Sequence, residues 1–82
     1  MSEAKVIACF ANALGVSKEI ITNNLTYNSI PEWDSIGHMS LIAALESEFD
    51  IMLDTDDIID MSSVAKCKEI LLQYGVKISH AA

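Results

Sequence analysis

Asp34-Ser35 stands where a polar loop gives way to an amphipathic run, and its hydroxyl is well placed for a covalent modification. A phosphate ester on Ser35 would point toward the free backbone N–H groups of a first helical turn, which favour an anion. Asp34 adds a carboxylate that can help hold a metal or a basic side chain of a modifying enzyme. Trp33 and Ile36 flank the pair with bulky apolar surface, a firm root for a swinging group. The plainer reading makes Asp34 or Ser35 a simple N-cap worth about 1 kcal/mol.

Other residue sets are less apt for chemistry. Ser35 and His38 are helical neighbours at i, i+3 and formally a nucleophile and a base. No third residue orients the histidine, so His38 reads as a half-buried packing residue beside the core stripe and the chain as no enzyme. The run from Asp54 to Asp60 resembles a calcium loop, but Ile58 and Ile59 fall where such a loop needs an oxygen ligand and a glycine. No metal site is expected. Cys9 and Cys67 lie on apolar helix positions without a CxxC spacing and read as buried thiols. His80, in the tail, carries no signal.

Charge narrows the range of partners. The net charge is −7, there is no arginine, and the segment Glu19 to Asp60 holds ten carboxylates and neither lysine nor arginine. Phosphate backbones and anionic membranes would be repelled. Basic protein surfaces and divalent cations are the expected attractors. With 82 residues, 51% of them hydrophobic, one ordered domain over residues 1–82 is expected. Its stability should be on the order of 4–12 kcal/mol. The N-terminal apolar run is too short for a signal peptide and no stretch reaches membrane-spanning length, so the expected location is cytoplasmic and the expected state a monomer.

The elements that must position Ser35 follow from spacing. Val6, Ile7, Phe10 and Leu14 share a face of a helix over about Glu3–Leu14, with Ser2 as cap and Gly15 as stop. Ser17 can cap a single turn carrying Ile20 and Ile21. A long ordered loop follows to Asp34, pinned by Leu25, Ile30 and Trp33. The second helix starts at Asp34 or Ser35 and runs to about Phe49, with Leu41, Ile42, Leu45 and Phe49 facing the core. Ile36, Met39 and Ala43 form a neighbouring stripe, either buried between helices or left open as a partner surface. Ile51 and Leu53 turn inward from the connection Asp50–Leu53. A short acidic helix spans Asp54–Met61, capped by Thr55 or Asp54, with Ile58 and Met61 inward. Ser62 or Ser63 caps a last helix, about Val64 to Tyr74, which Gly75 ends. The residues VKISHAA are expected to fray. The outcome is an all-α fold, a small four-helix bundle of three longer helices and a short acidic third.

The run PEWDSIGHMSLIAALESEFDI resembles the signature region of acyl carrier proteins. In that family an Asp-Ser-Leu-like motif opens the second helix and an apolar–apolar–x–Ala–Leu–Glu–x–x–Phe stretch follows, here Leu41, Ile42, Ala44, Leu45, Glu46 and Phe49. The likeness extends over nearly the whole chain, from first helix through SSVAKCKEILLQY. It implies an acyl-carrier-like fold with 4′-phosphopantetheine joined through a phosphodiester to Ser35, its thiol bearing acyl groups as thioesters. It also implies a supporting role for Asp34 in docking a phosphopantetheinyl transferase that uses coenzyme A and magnesium. Ile36, Met39, Ala43 and Glu46 match the partner-contacting face, which Asp54, Asp56, Asp57 and Asp60 would extend toward acyl-transferring, condensing or ligase enzymes with basic docking surfaces.

Some residues depart from the housekeeping fatty-acid pattern. Gly37, Ser40 and Ser47 stand where such carriers place acids, and Gly37 costs roughly 1 kcal/mol of helix propensity against alanine. Trp33 before Asp34-Ser35 is similar to free-standing carriers of specialised pathways. Fatty acyl, polyketide, aminoacyl and polysaccharide-linked acyl cargo all fit. A different class also fits the exposed apolar and acidic residues, an unmodified helical adaptor binding another protein through Ile36 and Met39. Such an adaptor needs no serine at position 35.

Overall fold

Apolar spacing and caps lay down four α-helices in a computed structural model that describes residues 2–76. α1 spans Ser2–Leu14, α2 Ser35–Phe49, α3 Thr55–Asp60 and α4 Val64–Gln73. Among the described residues there is no strand, only one isolated antiparallel bridge between Thr26 and Ser63. The all-α bundle with a short acidic third helix is therefore the fold that forms. α1 starts at Ser2 itself, one residue before the expected start, and α4 stops at Gln73, one residue short of Tyr74. The tail from residue 77 onward, with His80, lies outside the described residues.

α1 and α2 pack most closely against one another. Val6, Phe10 and Leu14 of α1 meet Leu41, Ile42 and Leu45 of α2 and Val64, Cys67, Ile70 and Leu71 of α4 in one core, closed by Leu53 and Met61. Each fully buried large side chain contributes roughly 1.5–3 kcal/mol by leaving water. Ile7 and Phe49, expected inside, are half-buried at its edge. Both cysteines are free and buried, as their positions suggested. Burial pushes the Cys67 thiol up to about 12, with the Cys9 sulfur adding to the shift and Lys68 opposing it.

The long connection between α1 and α2 is ordered by what it touches. Gly15 ends α1 at φ +70, a left-handed conformation suited to glycine. A 3-10 turn, Lys18–Ile20, follows Ser17, whose side chain makes no capping bond. Ile21 is buried, while Ile20 stays exposed. The Tyr27 N–H donates to Ser62 O (2.8 Å) and the Val64 N–H to Leu25 O (3.0 Å), so the loop runs antiparallel beside the entry to α4. Of the expected pins, Trp33 is fully buried and Leu25 and Ile30 are half-buried. The Trp33 ring meets Phe10 edge-on at 5.3 Å.

Lys68 is the one charged side chain buried among the described residues. Its Nζ donates to Glu3 Oε2 (2.6 Å) and to Asn23 Oδ1 (2.8 Å), tying α4 to α1 and to the loop. Such a buried cation persists because two of its N–H groups find oxygens, one of them a carboxylate.

Candidate functional site

Ser35 is the first residue of the fifteen-residue α2, and it is exposed. Asp34, in extended conformation, is the N-cap, and its Oδ1 accepts from the Gly37 N–H at 2.8 Å. Between the two starts open in the sequence, helical backbone thus begins at Ser35, and Asp34 does the capping. The His38 N–H goes to Asp34 O at 2.8 Å. The N–H groups of Ser35 and Ile36 have no acceptor among the described residues. Two unspent donors beside an exposed hydroxyl, at the positive end of a helix dipole, suit a phosphodiester on Ser35 Oγ.

The groove that opens beside Ser35 has a volume of about 350 Å³. Its walls come from Met39 and His38 of α2, Ile58 and Ile59 of α3, Met61 at the end of α3, and Tyr27 and Ser62 on the loop side. Nearly all of that lining is apolar. Ile59 was not singled out by spacing, although the doubled isoleucine in DTDDIID was its signal. One isoleucine, Ile58, turns partly inward, and the other has no place in the core. Tyr27 reaches the groove through the loop's antiparallel run, which no periodicity reveals.

The second apolar stripe of α2 is open to solvent. Ile36 is 77% and Met39 59% exposed, with Ala43 also exposed, and Ile59 at 76% continues the patch onto α3. A contiguous exposed apolar patch of this kind is a common feature of interaction surfaces. Glu46, expected on that face, is half-buried, and its Oε2 accepts from the Leu53 N–H at 3.0 Å. Its carboxylate therefore orders the α2–α3 connection.

The acidic group on α3 divides in the same way. Tyr74 Oη donates to Asp57 Oδ2 (2.5 Å) and accepts from the Asp54 N–H (2.9 Å). The hydrogen bond to Asp57 holds the Tyr74 phenol above its usual range. Asp60 pairs with Lys66 at 3.4 Å in an exposed contact of little energetic weight. The side chains of Asp54 and Asp56 have no partner among the described residues and are exposed. No group of three or more metal-ligating side chains forms among the described residues.

Gly37 and His38 acquire roles that spacing did not disclose. A Cβ on Gly37 would stand 2.2 Å from Glu32 O, so the loop closes against α2 only where there is no side chain. His38 is buried, and its ring lies nearly coplanar with that of Trp33, at an interplanar angle of 19° with the centroids 6.2 Å apart. Trp33 Nε1–H donates to His38 Nδ1 at 2.9 Å, and His38 Nε2 faces Ile58 O at 2.8 Å. The ring is fully engaged in structural bonds, and nothing in it is aimed at Ser35 as a base.

The family model for the phosphopantetheine attachment site matches residues 4–71, from α1 into α4. No curated protein matches the chain.

Proposed function

The chain belongs to the family of phosphopantetheine attachment-site domains, and on that premise we propose that it is an acyl carrier whose 4′-phosphopantetheine is bonded to Ser35. Domains of this family carry the group covalently and are carriers, not catalysts. The observation that supports Ser35 is its exposed hydroxyl at the start of α2, beside two unspent N–H donors and on the rim of an apolar groove. The bound group supplies a thiol on a flexible arm, where acyl intermediates ride as thioesters. The protein's own part is to root that arm, to keep Ser35 Oγ accessible, and to offer docking surface around it.

The modifying partner is a phosphopantetheinyl transferase, with Asp34 Oδ2 directed to its metal or basic side chains while Oδ1 caps the helix. The later partners are acyl-transferring, condensing or ligase enzymes of a specialised fatty-acid, polyketide or related pathway. Ile36, Met39 and Ala43 form the apolar part of their docking face, Asp54 and Asp56 its free charge, and Asp57, Asp60 and Glu46 its tied-down margin. The protein acts as a cytoplasmic monomer. No helix among the described residues is long and apolar enough to cross a membrane.

Coexpression with a broad-specificity transferase and intact-mass measurement tests this reading. A gain of one arm that Ser35→Ala abolishes supports the carrier. No gain leaves the unmodified adaptor. Asp34→Asn keeps a capping oxygen, so it should change folding stability by less than about 0.5 kcal/mol while slowing arm transfer. The apolar groove is also suited to shelter the near end of an acyl chain, and melting temperatures that rise with chain length would show it.

A further inference from the structure

His38 connects two parts of the molecule that the arm's attachment does not itself require to be connected. An indole N–H can only donate, so the bond from Trp33 Nε1 fixes a lone pair on His38 Nδ1 and places the ring proton on Nε2. That Nε2–H donates to Ile58 O at 2.8 Å. Ile58 O belongs to the last turn of α3, whose carbonyls have no partner within the helix. The Ser62 N–H, four residues on, goes to Asp60 O instead. His38 therefore caps the C-terminal end of α3 from α2.

α3 depends on such help. A helix of six residues is too short to persist alone, and α3 fully buries none of its own side chains, Ile58 being only half-buried. Leu53 and Met61 anchor the chain on either side of it. Tyr74 of the α4 end holds its first turn through Asp54 and Asp57. Ile58 packs against the edge of the core and Asp60 pairs with Lys66 in an exposed contact, and the tie that lies in the groove wall beside Ser35 is His38.

We propose that His38 is a positioning residue, a latch that holds α3 across the groove and couples the position of α3 to Trp33, two residues before Ser35. Its functional meaning rests on Ser35 being the root of the arm, since an arm or acyl chain entering the groove meets the His38 ring and Ile58. The latch itself is a property of the unmodified chain and is tested there.

Two variants separate the halves of the ring. His38→Asn keeps an acceptor at the δ position for Trp33 and loses reach to Ile58 O. His38→Gln keeps a donor at the ε position for Ile58 O and loses the acceptor for Trp33. Both remove the same ring, so a pure packing role makes them alike. Amide hydrogen exchange and the Trp33 indole N–H resonance are read in the unmodified protein. His38→Asn should speed exchange in α3 by about tenfold relative to α4 while sparing the indole signal. His38→Gln should hold α3 within about threefold of wild type and shift the indole signal. Equal effects of the two variants on α3 and on the indole overturn the latch.

Should either variant fail to fold, the imidazole ¹⁵N shifts of the wild type decide. A proton on Nε2 with unprotonated Nδ1 supports the latch, and the opposite tautomer overturns it. Intact mass after transferase treatment of the same samples reports separately on Ser35. A missing arm defeats the carrier reading and leaves the exchange result standing.

Discussion

The α carbon of Gly37 lies so close to the Glu32 carbonyl that an added Cβ would stand 2.2 Å from the oxygen, and 3.1 Å from Leu14 Cδ2. The loop that carries Trp33 closes onto the first turn of α2 through this gap. The glycine looks like a weak point for the helix, yet its absent side chain is what lets loop and helix meet.

Gly37→Ala should therefore destabilise the protein, although alanine is the better helix former by about 1 kcal/mol. Backbone cannot yield as a flexible side chain does, and overpacking of this kind costs roughly 1–3 kcal/mol. Urea unfolding gives the sign. A stabilised variant would mean that the loop shifts away freely.

Lys68→Met should cost roughly 2 kcal/mol, because Glu3 and Asn23 each lose a bond from a buried ammonium. The Glu3 carboxylate keeps some solvent, which holds the loss below that of a fully buried pair. A double-mutant cycle with Glu3→Gln should show coupling. Independent, additive losses would reduce Lys68 to its aliphatic stem.

Stability should fall in alkali. The Cys67 thiol is raised from 9.0 to about 12 in the folded chain and Tyr74 is raised as well, so the native state keeps protons that the unfolded chain releases. Their contribution is whole below pH 9 and is lost as pH rises toward 12. Urea midpoints from pH 8 upward should decline, and more gently in Cys67→Ala, whose cavity lowers all values but removes one titrating group. Parallel slopes in the two proteins would refute the cysteine's share.

Millimolar Mg²⁺ should raise the melting temperature by a few degrees, since clustered carboxylates repel one another and bound cations favour the folded state. With no set of three ligands assembled among the described residues, the effect should be shallow and shared with Ca²⁺. No rise, or a fall, would count against charge repulsion as a burden on this fold.

The four helices and a start of α2 at Asp34 or Ser35 were legible in the residue order, whereas the capping expected of Ser17 and of Thr55 or Asp54 forms no side-chain bond. The legible signals are local. Val6, Phe10 and Leu14 share a face because of helical periodicity, Asp34 caps α2 through a bond three residues long, and Ser63 does the same for α4 through Lys66 N–H. The exposed stripe of Ile36 and Met39 was legible as a stripe, but its exposure was not, because periodicity does not say which neighbours cover a face. It took the packing of the helices to join His38 to Trp33 and Ile58, to turn Glu46 to Leu53, to give Asp57 to Tyr74 and to bury Lys68. These partners are separated by 5 to 65 residues. A polar side chain chooses among distant oxygens and nitrogens according to which are desolvated beside it, and that choice exists only once the helices have packed.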